Sequence, residues 1–187
     1  MATTFEANLE RWAKSAYLIL RDDVATRYHA TITYSDLAER VQKHSGIVAK
    51  GPSRQWIGKV LGLVVRVCHH NSDPALSALV VHKTDGMVGA GYDLVLKVAA
   101  LPALTDPQER EEHAARARLE CYRKFCHSMP ADGGTPGYST IYTEKAARAA
   151  QRAARPPKPE ENARPLKFCP TCFVALPATG ICDECES

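Results

Sequence analysis

Ser53-Arg-Gln-Trp-Ile-Gly-Lys-Val-Leu-Gly-Leu-Val-Val-Arg-Val67 sets Trp56, Ile57, Val60, Leu61 and Val64 at the spacing of one helix face. Ser53 is a cap residue in sequence terms, so the pattern predicts a helix from Arg54 to about Val67. Gly58 and Gly62 interrupt it, each costing about 1 kcal/mol against alanine, which predicts close packing at both. Asn71-Ser-Asp-Pro74 then breaks the chain. Leu76 to Lys83 reads as a β-strand, Thr84-Asp-Gly86 as a turn and Met87 to Val98 as a returning strand. Gly89 and Gly91 predict a bend or bulge in that second strand.

Upstream, Phe5, Leu9, Trp12, Ala13, Ala16 and Leu20 mark an amphipathic helix over residues 5–20. The Arg21–Tyr28 stretch reads as a loop or a further helical turn. Thr33 or Ser35 can cap a second helix with Leu37, Ala38 and Val41 inward. Three helices followed by a two-stranded hairpin is the order of a winged helix, whose third helix enters the major groove while the hairpin wing touches the backbone. Downstream, Asp106 caps a long helix to about Phe125, residues 127–138 form a loop, and Glu144 to Arg155 form an Ala/Arg-rich helix. Pro156-Pro-Lys-Pro159 opens an extended linker. The fold class expected is α+β: a winged-helix-like module with helical extensions over residues 1–150, a linker over 151–165 and a small zinc ribbon over 166–187.

The ribbon rests on Cys169-Pro-Thr-Cys172, nine residues, then Cys182-Asp-Glu-Cys185. Two Cys-x-x-Cys knuckles facing one another hold Zn²⁺ tetrahedrally. The alternatives are redox dithiols or disulfides. Phe168, Phe173, Val174, Leu176 and Ile181 are too few apolar residues to fold so short a segment, so metal would supply most of its folding free energy. Four thiolates leave no open position for water, which makes the expected zinc structural. Phe173 and Glu186 directly follow the second cysteine of each pair, a position near which many ribbons carry glycine.

Net charge is +3 over 187 residues, which neither demands nor excludes nucleic acid. No apolar run approaches a membrane span, and the first residues lack the layout of a signal peptide. Cys68, Cys121 and Cys126 are then expected to be reduced thiols, and the location expected is cytoplasmic.

Residues 32–92 resemble the C-terminal DNA-binding domain of the alkylguanine-DNA alkyltransferases and alkyltransferase-like proteins. Ile32-Thr-Tyr-Ser-Asp-Leu-Ala38 is similar to that family's Tyr-x-x-Leu-Ala helix start, and Ser53-Arg-Gln-Trp-Ile-Gly58 to its Ala-Ala-Arg-Ala-Val-Gly segment. Asp73-Pro74 and Leu76-Ser-Ala-Leu-Val-Val81 fall where the family has Asn-Pro and Pro-Cys-His-Arg-Val-Val. Asp85-Gly86 and Val88-Gly89 to Tyr92 resemble its turn and Gly-Tyr segment. The resemblance puts the family's reactive cysteine at Ser77 and its neighbouring His and Arg at Ala78 and Leu79, so it implies DNA binding without alkyl transfer. It also places the backbone-contacting tyrosine at Tyr34 and the intercalating arginine at Gln55, one place after Arg54.

Cys68-His69-His70 reads as the end of the third helix, where His side chains satisfy last-turn carbonyls; a metal site with Cys126-His127, or a catalytic role, is the sharper alternative. Arg148, Arg152, Arg155 and Lys158 recur at helical spacing, as a solvated face or as phosphate ligands. No Gly-rich phosphate loop, His-Glu-x-x-His or Gly-x-Ser-x-Gly occurs. The expectation is a non-catalytic DNA-binding protein with a regulatory, sensing or phage–host conflict role. Arg54, Gln55 and Lys59 are expected at the groove, and Tyr34, Lys43, Lys50, His82 and Lys83 at the DNA backbone. The competing expectation is an adaptor docking a protein partner through the ribbon.

Overall fold

The computed structural model describes residues 4–154, 168–176, 182 and 185, and the chain divides into two units, Met1–Ala149 and Ala150–Ser187. The first unit is mostly helical. Its elements are α1 (Thr4–Ile19), β1 (Ile32–Thr33), α2 (Tyr34–Ser45), α3 (Ile57–His70), β2 (Val80–Val81), α4 (Asp93–Val98) and α5 (Pro107–Phe125); α6 (Thr140–Ala154) begins in it. The expected linker from residue 151 begins inside α6, and residues 155–165 lie outside the described residues.

Local chemistry sets the helix ends. The Thr33 hydroxyl accepts the Asp36 N–H at 3.2 Å and caps α2, and Gly46 ends it in the left-handed region at φ 69°. Asp106 caps α5 by accepting the Gln108 N–H at 3.0 Å, with Pro107 opening the helix. The helix of residues 5–20 continues as a π turn, Leu20–Val24, which keeps Leu20 and Val24 buried. Trp12, Ala16, Leu37, Val41, Val60 and Val64 meet in one core built from α1, α2 and α3. Trp12 packs against Trp56, ring centroids 4.7 Å apart and tilted, and donates its indole N–H to the Ile47 carbonyl.

The structure corrects two expectations. Ser53 does not cap α3; Ser53–Gln55 form a separate 3₁₀ turn, and α3 starts only at Ile57. The expected hairpin does not form either. Leu76–Leu79 are a buried 3₁₀ turn, the strand shrinks to Val80–Val81, and it pairs in parallel with Ile32–Thr33. The stretch from Met87 to Val98 becomes a loop, a 3₁₀ turn over Ala90–Tyr92 and α4. The cause is competition for backbone donors. The Val88 N–H is taken by the Glu111 carboxylate at 2.8 Å and the Gly89 N–H by the Tyr34 hydroxyl at 3.3 Å, so neither serves a ladder. What remains is a tight turn, in which His82 N–H donates to the Met87 carbonyl and Gly86 N–H to the His82 carbonyl.

Glu111 and Arg118, both on α5, are each fully buried and paired with each other. Arg118 also donates to the carbonyls of Ala78 at 2.8 Å and Gly137 at 3.0 Å, and both Glu111 oxygens are occupied. Breaking such a pair strands a charge in the core, which costs about 3–5 kcal/mol. Arg118→Met should therefore lower stability by that order in urea unfolding. Glu111→Gln combined with Arg118→Met should cost less than Arg118→Met alone, because no ion is left behind. A double variant less stable than the single would contradict this account.

Candidate functional site

Beside the core of the first unit lies a cavity of about 690 Å³. One wall is the cavity-facing side of α3, with Ile57, Gly58, Leu61, Gly62 and Val65. Val88, Gly89, Gly91, Tyr92 and Leu94 line the cavity as well, as does Ser77. Tyr34, Arg54, His82, Lys83 and Thr84 also line it. The volume falls in the range of small-molecule sites, with an apolar lining and a few polar groups.

The polar groups have defined states. Tyr34 and His82 lie ring against ring at 4.7 Å. Burial raises the Tyr34 phenol above its ordinary pKa, against a lowering from the Gly89 N–H, so its hydroxyl stays protonated. Since that oxygen accepts from Gly89, the O–H is left to donate. A Cβ at Gly89 would lie 2.7 Å from His82 Nε2 and 3.0 Å from the Tyr34 oxygen, so glycine is what lets this loop approach. Ser77 is only 8% exposed, yet its Oγ has no hydrogen-bond partner among the described residues. A buried, unpaired hydroxyl costs about 1–3 kcal/mol.

Of the residues expected to touch DNA, the fold gathers Tyr34, Arg54, His82 and Lys83 around the cavity. Lys59 instead sits over the Phe5 ring of α1 at 5.3 Å, and Gln55, Lys43 and Lys50 are exposed away from the lining. The sequence reading missed the cavity itself. Its trace was the pair Gly58 and Gly62, read there as packing. A Cβ at Gly62 does meet Leu94 at 3.5 Å, but at Gly58 nothing lies within 4 Å. The missing side chain at Gly58 leaves open space.

Cys68 is buried and its thiol is pushed up to about 11 by that burial; Cys121, wholly buried, is raised as well. His69 and His70 are exposed in the last turn of α3. Neither they nor Cys126-His127 belong to any cluster of three or more metal-ligating groups among the described residues.

One such cluster exists, Cys169, Cys172, Cys182 and Cys185 in the second unit, whose sulfurs all lie within 4.8 Å of one another. A tetrahedral zinc with Zn–S of about 2.3 Å requires sulfurs about 3.8 Å apart. Cys169 and Cys185 are at 3.8 Å, and Cys172 and Cys182 at 3.4 Å. The backbone N–H groups of Cys172 and Thr171 lower the Cys169 thiol to about 6, and hydrogen bonding with Cys172, Cys169 and Cys182 raises Cys185 to about 12. Alone, the cluster favours a mixture of thiolate and thiol; a dication would favour thiolates throughout. Phe168 and Ala175 pair across the first knuckle, and Phe173 adopts a left-handed φ of 58° there. The donor set fits Zn²⁺ in a closed structural role, with no coordination position left for chemistry.

No family model, characterised protein or solved structure matches the chain. Among the described residues, no helix is long and apolar enough to cross a membrane.

Elemental analysis of protein purified without chelator should give about one zinc per chain. Cys182→Ser should release the metal and expose the tail to protease while the first unit stays folded, since metal binding supplies the tail's folding free energy. Metal-free protein with a protease-resistant tail would contradict the assignment.

Proposed function

We propose that the first unit binds DNA, receives one unstacked base in its cavity and performs no chemistry on it. The observation that carries this reading is the buried, unpartnered Ser77 hydroxyl inside a cavity with a cationic and aromatic rim. Enclosing a base requires pulling it from the stack at a few kcal/mol, offset by hydrogen bonds to its edge and by apolar contact. Ser77 and Tyr34 offer the hydrogen bonds; Ile57, Leu61, Val65 and Leu94 offer the contact. Arg54 and Lys83 provide positive charge at the rim for the flanking phosphates. The likeness of residues 32–92 to the alkyltransferase DNA-binding domain supports the same reading, with the turn of residues 82–87 in place of the wing.

Chemistry is a poor fit. A serine nucleophile needs an adjacent base, and the Ser77 oxygen has no hydrogen-bond partner among the described residues. Cys68 is buried with a raised pKa, the opposite of an activated thiol. Incubation with alkylguanine DNA should leave the protein unmodified by mass spectrometry. An alkyl adduct within residues 76–92 would refute the non-catalytic reading.

A second reading is favoured by the tail. Phe168, Phe173 and Val174 are exposed beside the cysteine cluster, and residues 168–187 contain no Lys or Arg. Their acids Asp183, Glu184 and Glu186 lie outside the described residues. An acidic, apolar tail suits a protein partner better than phosphate. In this reading the ribbon is the docking element of an adaptor.

Gly58→Leu tests the cavity. The new side chain starts in open space, so it fills the cavity while improving the helix. Anisotropy of a labelled duplex at two salt concentrations should show binding by the intact protein, weakened about tenfold, or about 1.4 kcal/mol, by the variant. Equal binding by both would remove the base from the cavity. Absence of salt-sensitive binding at low ionic strength would leave the adaptor reading.

A further inference from the structure

We infer that α6 is a second DNA-contacting element, a cationic helix fixed at the cavity rim that follows the phosphates of the duplex whose base the cavity receives. This inference rests on the DNA reading above. Its first support is the anchorage of α6. Ser139 is fully buried, and its hydroxyl donates to the Gly86 carbonyl at 2.6 Å while accepting the Tyr142 N–H at 3.2 Å. It thus caps α6 and ties it to the turn after His82 and Lys83. Gly86 has a φ of 74°, and a Cβ there would come within 2.4 Å of both the Ser139 oxygen and the Tyr142 nitrogen. Only glycine permits this junction. Lys145 adds a bond from its ammonium to the Thr84 carbonyl at 3.2 Å, and Thr84 lines the cavity.

The second support is what α6 lacks. Not one of its residues is buried. Its alanines sustain the helix by intrinsic propensity, so its hydrophobic burial does not account for it. Lys145 and Arg148 are three residues apart and share a face, close in sequence to the anchored end. The acids nearby do not cancel them. Glu144 meets Arg148 at 3.7 Å with both side chains well exposed, a pairing that solvent and salt screen. The Asp85 carboxylate accepts the Met87 N–H within its own turn. An exposed cationic face tied to Thr84 and Gly86 is complementary to a polyanion, and the part of α6 in the first unit, Thr140–Ala149, runs about 15 Å. That matches about four steps of duplex at 3.4 Å each.

The test compares three full-length proteins on one 20-base-pair duplex across a salt series. The intact protein is set against Lys145→Ala/Arg148→Ala and against a charge-matched control, Arg11→Ala/Lys14→Ala, on exposed positions of α1 that do not line the cavity. Each lost phosphate contact flattens the dependence of log affinity on log salt by about 0.9, so the α6 pair should flatten it by about 1.8 and weaken low-salt binding. The control should leave the slope unchanged. Equal slopes for the intact protein and the α6 pair would overturn this inference while leaving DNA binding by the cavity in place. Equal flattening by the control would also overturn it, because the effect would then follow net charge. If the intact protein shows no salt-sensitive binding, the DNA reading and this inference fall together.

Discussion

The buried ion pair of Glu111 and Arg118 is the constraint on which the first unit's architecture turns. Two charges without water are tolerable only if every donor and acceptor around them is filled. Here both carboxylate oxygens are used, and the guanidinium reaches two backbone carbonyls. The partners are not arbitrary. Ala78 follows Ser77, Val88 lines the cavity wall, and Gly137 lies two residues before the Ser139 that anchors α6. One ion pair on α5 therefore holds the backbone next to Ser77, the backbone of Val88 and the approach to α6. It also takes the Val88 N–H that a hairpin ladder would need.

The two units depend on different physics. The first buries aliphatic and aromatic side chains from α1, α2 and α3 around paired tryptophans, so its stability derives from area removed from water. The described part of the second leaves Phe168, Phe173 and Val174 largely exposed, and its cohesion has to come from the cysteine cluster. Disruption of the cysteine cluster and loss of the α5 ion pair should therefore act as separate failures.

Legibility in the sequence followed interaction range. The helices at α1, α2, α3 and α5 were visible because periodicity and caps are local, and Thr33 and Asp106 cap where their residue types predict. The four cysteines were visible because ligand spacing is a local constraint as well. The strand over Met87–Val98 was misread because Gly89 and Val88 give their N–H groups to Tyr34 and Glu111, 55 and 23 residues away. Arg54 and Tyr34 were placed at a site; Lys59 was assigned to the same face, and only the packing of Phe5 shows otherwise. Among Glu109, Glu111 and Glu112 nothing local distinguishes Glu111 as the acid that, among the described residues, goes inside.

In the proposed reading the cavity lined by Ser77, Tyr34 and His82 receives a base drawn out of a duplex, and Arg54 and Lys83 meet the phosphates that flank it. The most direct measurement is the fluorescence of 2-aminopurine placed singly in a duplex and titrated with the intact protein, since stacking quenches this base and extrusion restores its emission. The account predicts a rise in emission that saturates with binding. Binding by anisotropy with no change in 2-aminopurine emission, at whichever position the base is placed, would contradict it.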